Sequence, residues 1–165
     1  MQEAAKVFSE ETGVEGADIL KSKSGKRYYI QVKSGPNTIP KDLGVRIAQL
    51  LRSAQRRNRG SVALYGMCYG SKARVSNIVK KYVREDGGVD WICGKEFWEF
   101  ISDDPHCCRE IYDIAAEVGR TFRDEDGLSL SDIVRIKIEE LTQEFESIYG
   151  TSATEMWEKL LDINT

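Results

Sequence analysis

The sequence predicts an α/β fold: a mixed sheet core, flanking helices and a helical C-terminal half. Three observations lead there. Two strand-like runs, "ADILKS" and "KRYYIQVK", flank "KSGK", whose Gly25 suits a hairpin turn. A stretch of helical spacing is followed by the apolar run "SVALYGMCYG", which reads as a buried strand. Beyond "VDWICG" the remainder of the chain reads as helix.

Taken in order, "MQEAAKVFSEETG" reads as a short helix closed by Gly13. In the second strand of the hairpin, Tyr28, Ile30 and Val32 share one face, and Tyr29, Gln31 and Lys33 share the other. That strand stops at the turn cluster "SGPN". A helix is expected from about Pro40 to Arg57, with Leu43, Ile47, Leu50, Leu51 and Ala54 as its apolar stripe. Arg46, Gln49, Arg52 and Arg56 fall opposite that stripe. The segment "ARVSNIVKKYV" is open between helix and strand. A helix through "KEFWEFI" precedes three more helical stretches, and Ser129 or Ser131 is a candidate cap for the middle one.

Composition narrows the function classes. With 165 residues, 41% hydrophobic and 31% charged, the chain is long enough for one globular domain with a real core. It lacks the ~18-residue apolar run of a membrane span and a basic-then-apolar leader, so a soluble, cytoplasmic protein is expected. Cys68, Cys93, Cys107 and Cys108 lack disulfide-scaffold spacing and are expected as reduced thiols. A structural zinc site built from them and His106 is disfavoured, because the usual CxxC pairs are missing. Trp91, Phe97, Trp98 and Phe100 can stack on bases, but the spacing of 97, 100 and 101 favours core packing.

Charge is unevenly distributed. Met1–Arg84 has 17 Lys+Arg against 6 Asp+Glu, a net of +11, and Glu85–Thr165 has 7 against 21, a net of −14, giving the chain's −3. Such a basic half suggests a polyanion-binding face. It also contains the hairpin. Antiparallel pairing brings Asp18, at the start of one strand, towards Gln31-Val32-Lys33 at the end of the other. Asp18 offers a hard carboxylate oxygen, Gln31 an amide oxygen and Val32 its backbone carbonyl, a partial shell suited to Mg²⁺, with Mn²⁺ as a substitute. Lys33 then stands where it can orient a nucleophile or stabilise charge on phosphorus.

The pattern Asp18 … Gln31-x-Lys33 resembles the PD-(D/E)xK nuclease superfamily in a QxK variant. Longer stretches, "EGADI", "YYIQVKSGPN", "YGMCYG", "CGKEFWEFISDDP" and "WEKLLDINT", are similar to type II restriction endonucleases of the PmeII-like group. The resemblance implies Mg²⁺-dependent cleavage of double-stranded DNA at a short sequence by a homodimer, as part of a restriction–modification system, with Asp18, Gln31 and Lys33 in the catalytic site. It makes residues 1–165 a single nuclease domain, with about 14–84 as basic catalytic core and about 85–165 as a mostly helical acidic part. An amide at position 31 binds a cation less strongly than the family's carboxylate. Only 17 residues precede Asp18, fewer than in family members, so Glu10, Glu11 or Glu15 is the candidate to complete the metal site. Expected DNA contacts are Ser34, Asn37 and Lys41 after the motif, Arg46, Arg52 and Arg56 on the helix, and Lys72 and Arg74 after the next strand. Two other readings stand beside this one: a structure-selective repair or recombination nuclease, and a catalytically weak DNA-binding fragment.

Overall fold

A computed structural model describes residues 1–10, 12–37 and 39–164. The hairpin is the organising element. Strands β1 (Ile19–Lys23) and β2 (Lys26–Lys33) pair antiparallel, and Lys23 opposite Lys26 leaves a two-residue turn. Both turn residues have positive φ, 51° at Ser24 and 72° at Gly25, the conformation whose twist matches a tight hairpin. This closure fixes the register: Ile19 faces Ile30, so Asp18 continues opposite Gln31.

From β2 the chain crosses through helix α2 (Lys41–Arg57) to β3 (Val62–Met67), parallel to β2, and then to β4 (Asp90–Cys93), parallel to β3. The sheet order is β1-β2-β3-β4, a mixed four-stranded sheet. Side-chain alternation gives it two covered faces. On one, Ala63, Tyr65 and Met67 pack with Ile47 and Leu51 of α2 and with Val79 and Val83. On the other, Ile19, Ile30, Val32 and Leu64 pack with Phe97, Trp98 and Ile101 of helix α3 (Lys95–Ser102) and with Ala5 of α1 (Gln2–Lys6). Trp98 is fully buried, and its indole N–H donates to the Cys68 carbonyl at 2.7 Å. Burying each such side chain contributes about 1.5–3 kcal/mol.

Three local differences from the sequence reading have physical causes. The first helix stops at Lys6 rather than reaching Gly13, because Glu10 is drawn into a bridge with Leu20 on the outer edge of β1, through hydrogen bonds of 2.8 and 3.0 Å. Within α2 the stripe runs through Gly44, Ile47, Ala48, Leu51 and Ala54, leaving Leu43 exposed. The ambiguous stretch becomes a 3₁₀ turn, Lys72–Arg74, and a wide π-type helix, Val79–Glu85. Val75, Val79 and Val83, four apart, are its buried side chains.

The C-terminal stretch is helical as expected: α4 (Cys107–Thr121), α5 (Leu130–Tyr149) and α6 (Ala153–Asn164). Ser129 caps α5 by accepting from the Asp132 N–H, and the Asp132 carboxylate accepts from the Ser129 N–H, a complete capping box; Ser131 lies inside the helix. The chain divides into two compact units, Met1–Ile111 and Tyr112–Thr165. This boundary lies beyond the reversal of charge near residue 85, because apolar burial in β4 and α3 ties those elements to the sheet. No described helix is long and apolar enough to cross a membrane.

Candidate active site

The hairpin register brings three of the expected residues into contact. The Asp18 backbone N–H donates to the Ile30 carbonyl at 2.9 Å, which places its carboxylate at the level of Gln31. Asp18 Oδ2 then accepts two hydrogen bonds, one from the Val32 backbone N–H at 2.7 Å and one from Gln31 Nε2. Asp18 Oδ1 makes no hydrogen bond among the described residues. One oxygen is therefore clamped to the strand while the other stays open. The Lys33 carbonyl accepts from the Cys68 N–H on the β3 side, so strand alternation turns the Val32 carbonyl towards the β1 side, where Asp18 sits.

A glycine sets the approach. Gly16 has φ of 90°, and a Cβ there would collide with Leu50 Cβ of α2. The loop leading into Asp18 therefore lies directly against that helix. Gln31 is only 8% exposed, and its side chain turns to the same carboxylate. Lys33 shares the Gln31 face and is half-buried, and its ammonium makes no hydrogen bond or ion pair among the described residues. Among the described residues no carboxylate pairs with that ammonium. It is available for an anion.

The acids named to complete the site are placed differently. Glu10, with Lys6, Ser9, Thr12, Asp18 and Ile19, lines a cavity of about 180 Å³, but its Oε1 accepts from Ser22 Oγ at 3.1 Å. Glu15 is exposed on the loop, and Glu11 lies outside the described residues. Among the described residues no three Asp, Glu, His or Cys side chains converge as a metal cluster. Among the described residues, the donors that could face a cation here are one carboxylate oxygen, one amide and one backbone carbonyl. These are hard, weakly charged ligands, which fit Mg²⁺ and fill only part of its octahedron. Chemically, the arrangement can hold a divalent cation and an ammonium side by side next to a bound phosphate.

The expected DNA contacts separate into two groups. Ser34, Asn37 and Lys41 follow β2, and Lys72 and Arg74 follow β3, so all five leave the carboxyl ends of parallel strands, where Lys33 lies. That crevice is where ligands bind in open α/β sheets. The connection is firmly held: the Ser34 carbonyl accepts from Tyr69 N–H at 3.0 Å and the Pro36 carbonyl from Ser76 N–H at 3.2 Å. Lys41 Nζ sits 5.1 Å from the centre of the Tyr82 ring, and Lys72 pairs with Glu96 at 2.9 Å. Arg74 is exposed.

Arg52 and Arg56 lie in the last turns of α2, towards the other end of the sheet; 17 helical residues span about 25 Å. They line a cavity of about 430 Å³ with Gln49, Tyr82 and Asp86, and Arg52 donates to the Gly88 carbonyl at 3.2 Å. Arg46 is about 120° round the helix from Arg52 and belongs to the flank carrying Leu50. The three arginines do not form one surface.

Two features escaped the sequence reading. Tyr69, 41% exposed, lies over Gly35, where a Cβ would strike its ring. The signal was present in "YGSK" after a strand that pairs in parallel with β2. Tyr65, in register with Gln31, is fully buried, and its hydroxyl has no hydrogen-bond partner among the described residues. Burial pushes that hydroxyl well above the usual phenol range. Only the alternation of β3 could have located it.

The family model for the type II restriction endonuclease EcoO109I matches residues 4–121, more than two thirds of the chain. No curated protein matches it. The matched range takes in the whole sheet and the Asp18–Lys33 corner, and the chain therefore belongs to the EcoO109I family of type II restriction endonucleases, nucleases whose substrate is DNA.

Proposed function

We propose that this chain is a Mg²⁺-dependent type II endonuclease, a PD-(D/E)xK enzyme close to the PmeII-like group, that cuts double-stranded DNA at a short sequence. It acts as a homodimer within a cytoplasmic restriction–modification system. The observation that supports this most directly is the clamped Asp18 carboxylate beside Lys33, whose ammonium has no partner among the described residues, at the carboxyl ends of parallel strands. A cation held by Asp18, Gln31 Oε1 and the Val32 carbonyl supplies charge neutralisation and a lowered pKa for the attacking water.

The chain's own residues do the remaining work. Asp18 fixes the geometry, because its Oδ2 cannot turn without breaking two hydrogen bonds. Lys33 donates to the phosphate oxygens on which charge accumulates during in-line attack. Backbone amides of the 34–37 turn and the Asn37 side chain position the neighbouring phosphate. The products are a 5′-phosphate and a 3′-hydroxyl.

Digestion of a long duplex with Mg²⁺ or Mn²⁺ tests the reading. Discrete bands are expected, and Lys33→Ala is expected to slow cutting by about 100- to 1,000-fold, the usual loss of a transition-state donor. Asp18→Asn should do the same while thermal unfolding shows a folded protein. Cleavage confined to junctions or flaps would replace this reading with a repair nuclease. Binding without cutting would point to a weak DNA-binding module, a reading to which the amide at position 31 lends support.

A further inference from the structure

The carboxyl ends of β2, β3 and β4 are locked together at glycines. A Cβ on Gly94 would strike the Gly70 carbonyl oxygen, and one on Gly70 would come within 2.8 Å of the Pro36 ring. At Gly35 the crossing chain is Tyr69. A Cβ there would collide with Cζ and Cε2 of the tyrosine ring and reach its hydroxyl oxygen at 2.6 Å. With a Cα–Cβ bond of about 1.5 Å, that hydroxyl lies within about 4 Å of the Gly35 Cα. The Tyr69 N–H donates to the Ser34 carbonyl at 3.0 Å, which holds its backbone beside the residue that follows Lys33.

Packing accounts for the ring but not for the hydroxyl. Gly35 and Pro36 are buried, whereas Tyr69 keeps 41% of its surface exposed. Its hydroxyl makes no hydrogen bond among the described residues. A phenylalanine would cover Gly35 equally well. Tyrosine suits a place where one end of the ring is packed and the other meets a polar partner.

The surroundings select that partner. Lys33, Lys41, Lys72 and Arg74 belong to the same strand ends, so the crevice draws an anion. A phenolic O–H donates to a phosphate oxygen without adding charge. Gly35 is two residues past Lys33, about 7 Å of extended chain. That spacing suits a neighbouring phosphate rather than the one being cut.

We infer that the Tyr69 hydroxyl donates to the DNA phosphate adjacent to the one cut, and that the missing side chain at Gly35 lets the ring lie across the turn to present it. The inference rests on the nuclease reading above. It adds a neutral contact to a surface otherwise supplied with cations.

Fluorescence anisotropy of a labelled duplex, without metal so that nothing is cut, tests it. Tyr69→Phe is expected to bind on the order of 10-fold more weakly, the loss of one hydrogen bond to a charged group. The hydroxyl carries no charge and releases no counterion. The slope of log affinity against log salt should therefore equal the wild type's. A disturbed turn would instead displace its lysines and lower the slope. The melting temperature should not change, since the ring still covers Gly35. With Mg²⁺ the variant's KM should rise at unchanged kcat, as for a contact made equally in the ground and transition states.

Binding as tight as wild type in Tyr69→Phe, with only Tyr69→Ala weakened, would overturn the proposal, because the ring alone would then matter. So would a lowered salt slope, or a lowered kcat at unchanged KM, which would put the hydroxyl on the cut phosphate itself. Equal binding of wild type and Tyr69→Phe in an enzyme that cuts discretely removes this contact and spares the nuclease reading. Weaker binding at unchanged slope in a protein that never cuts does the reverse.

Discussion

At position 31 a neutral amide stands where the nuclease pattern proposed above would have a carboxylate, and its hydrogen bonds give it a structural part. Gln31 Nε2 donates to Asp18 Oδ2, as the Val32 N–H does, so the amide stabilises the aspartate without a cation. Much of this corner was legible. A two-residue turn in "KSGK" sets Lys23 against Lys26, and counting outward puts Asp18 opposite Gln31. Alternation then puts Lys33 on the same face. The clamp on Oδ2 was not legible, since it depends on Asp18 being one residue outside β1, where the strand's own ladder has ended. Gln31→Glu should therefore exchange a donor for a second carboxylate facing Asp18. Without metal the variant should lose on the order of 1–3 kcal/mol of stability, from the lost hydrogen bond and like-charge repulsion. Mg²⁺ should recover this, raising the variant's melting temperature more than the wild type's, because only the folded form gathers the ligands. Thermal unfolding with and without Mg²⁺ reads the difference, and an equal response in both proteins counts against the ligand set.

Among the elements, the hairpin and α3 are joined by an ion cluster invisible in the sequence order. Lys21 and Lys23 of β1 each reach Asp103 at 2.7 Å, and Asp103, just past α3, has φ of 64°. Aspartate is among the few residues that enter the left-handed region readily, so it ends the helix and presents its carboxylate at once. Side-chain hydrogen bonds from Lys21 and then Lys23 hold that carboxyl at about 2, below the usual carboxylate value. A depressed folded-state value contributes stability above the unfolded-state value and loses it as pH falls through the folded one. The wild type should therefore lose this contribution between about pH 4 and pH 2. Asp103→Asn keeps the left-handed cap and removes the titration, so its acid unfolding curve should be flatter across that window. Urea titrations at several pH values decide it; superimposable pH profiles would mean that the cluster contributes nothing to folding. Elsewhere at this scale, periodicity located α2, α3 and the C-terminal helices. It misjudged residues 7–10, where a bridge to Leu20 outcompetes a helix too short to sustain itself.

For the molecule as a whole, the basic half of the sequence becomes two separate basic regions on one unit. Sequence could show that Met1–Arg84 has a net charge of +11, but not that a 17-residue helix divides it. Lys33, Lys41, Lys72 and Arg74 belong to the carboxyl ends of β2 and β3, while Arg52 and Arg56 lie towards the opposite end, against the π-type helix. A duplex whose scissile phosphate is docked at Lys33 runs along the first group. Each cation that neutralises a phosphate contributes about 0.9 to the slope of log affinity against log salt. In a Lys33→Ala background, so that binding is read without cutting, Arg74→Ala should lower that slope by about 0.9. Arg52→Ala and Arg56→Ala should leave it unchanged. Fluorescence anisotropy of a labelled duplex across a range of salt concentrations measures both. If the slope responds to Arg56 and not to Arg74, the DNA lies along the α2 flank, and the corner formed by Asp18, Gln31 and Lys33 is not where the backbone docks.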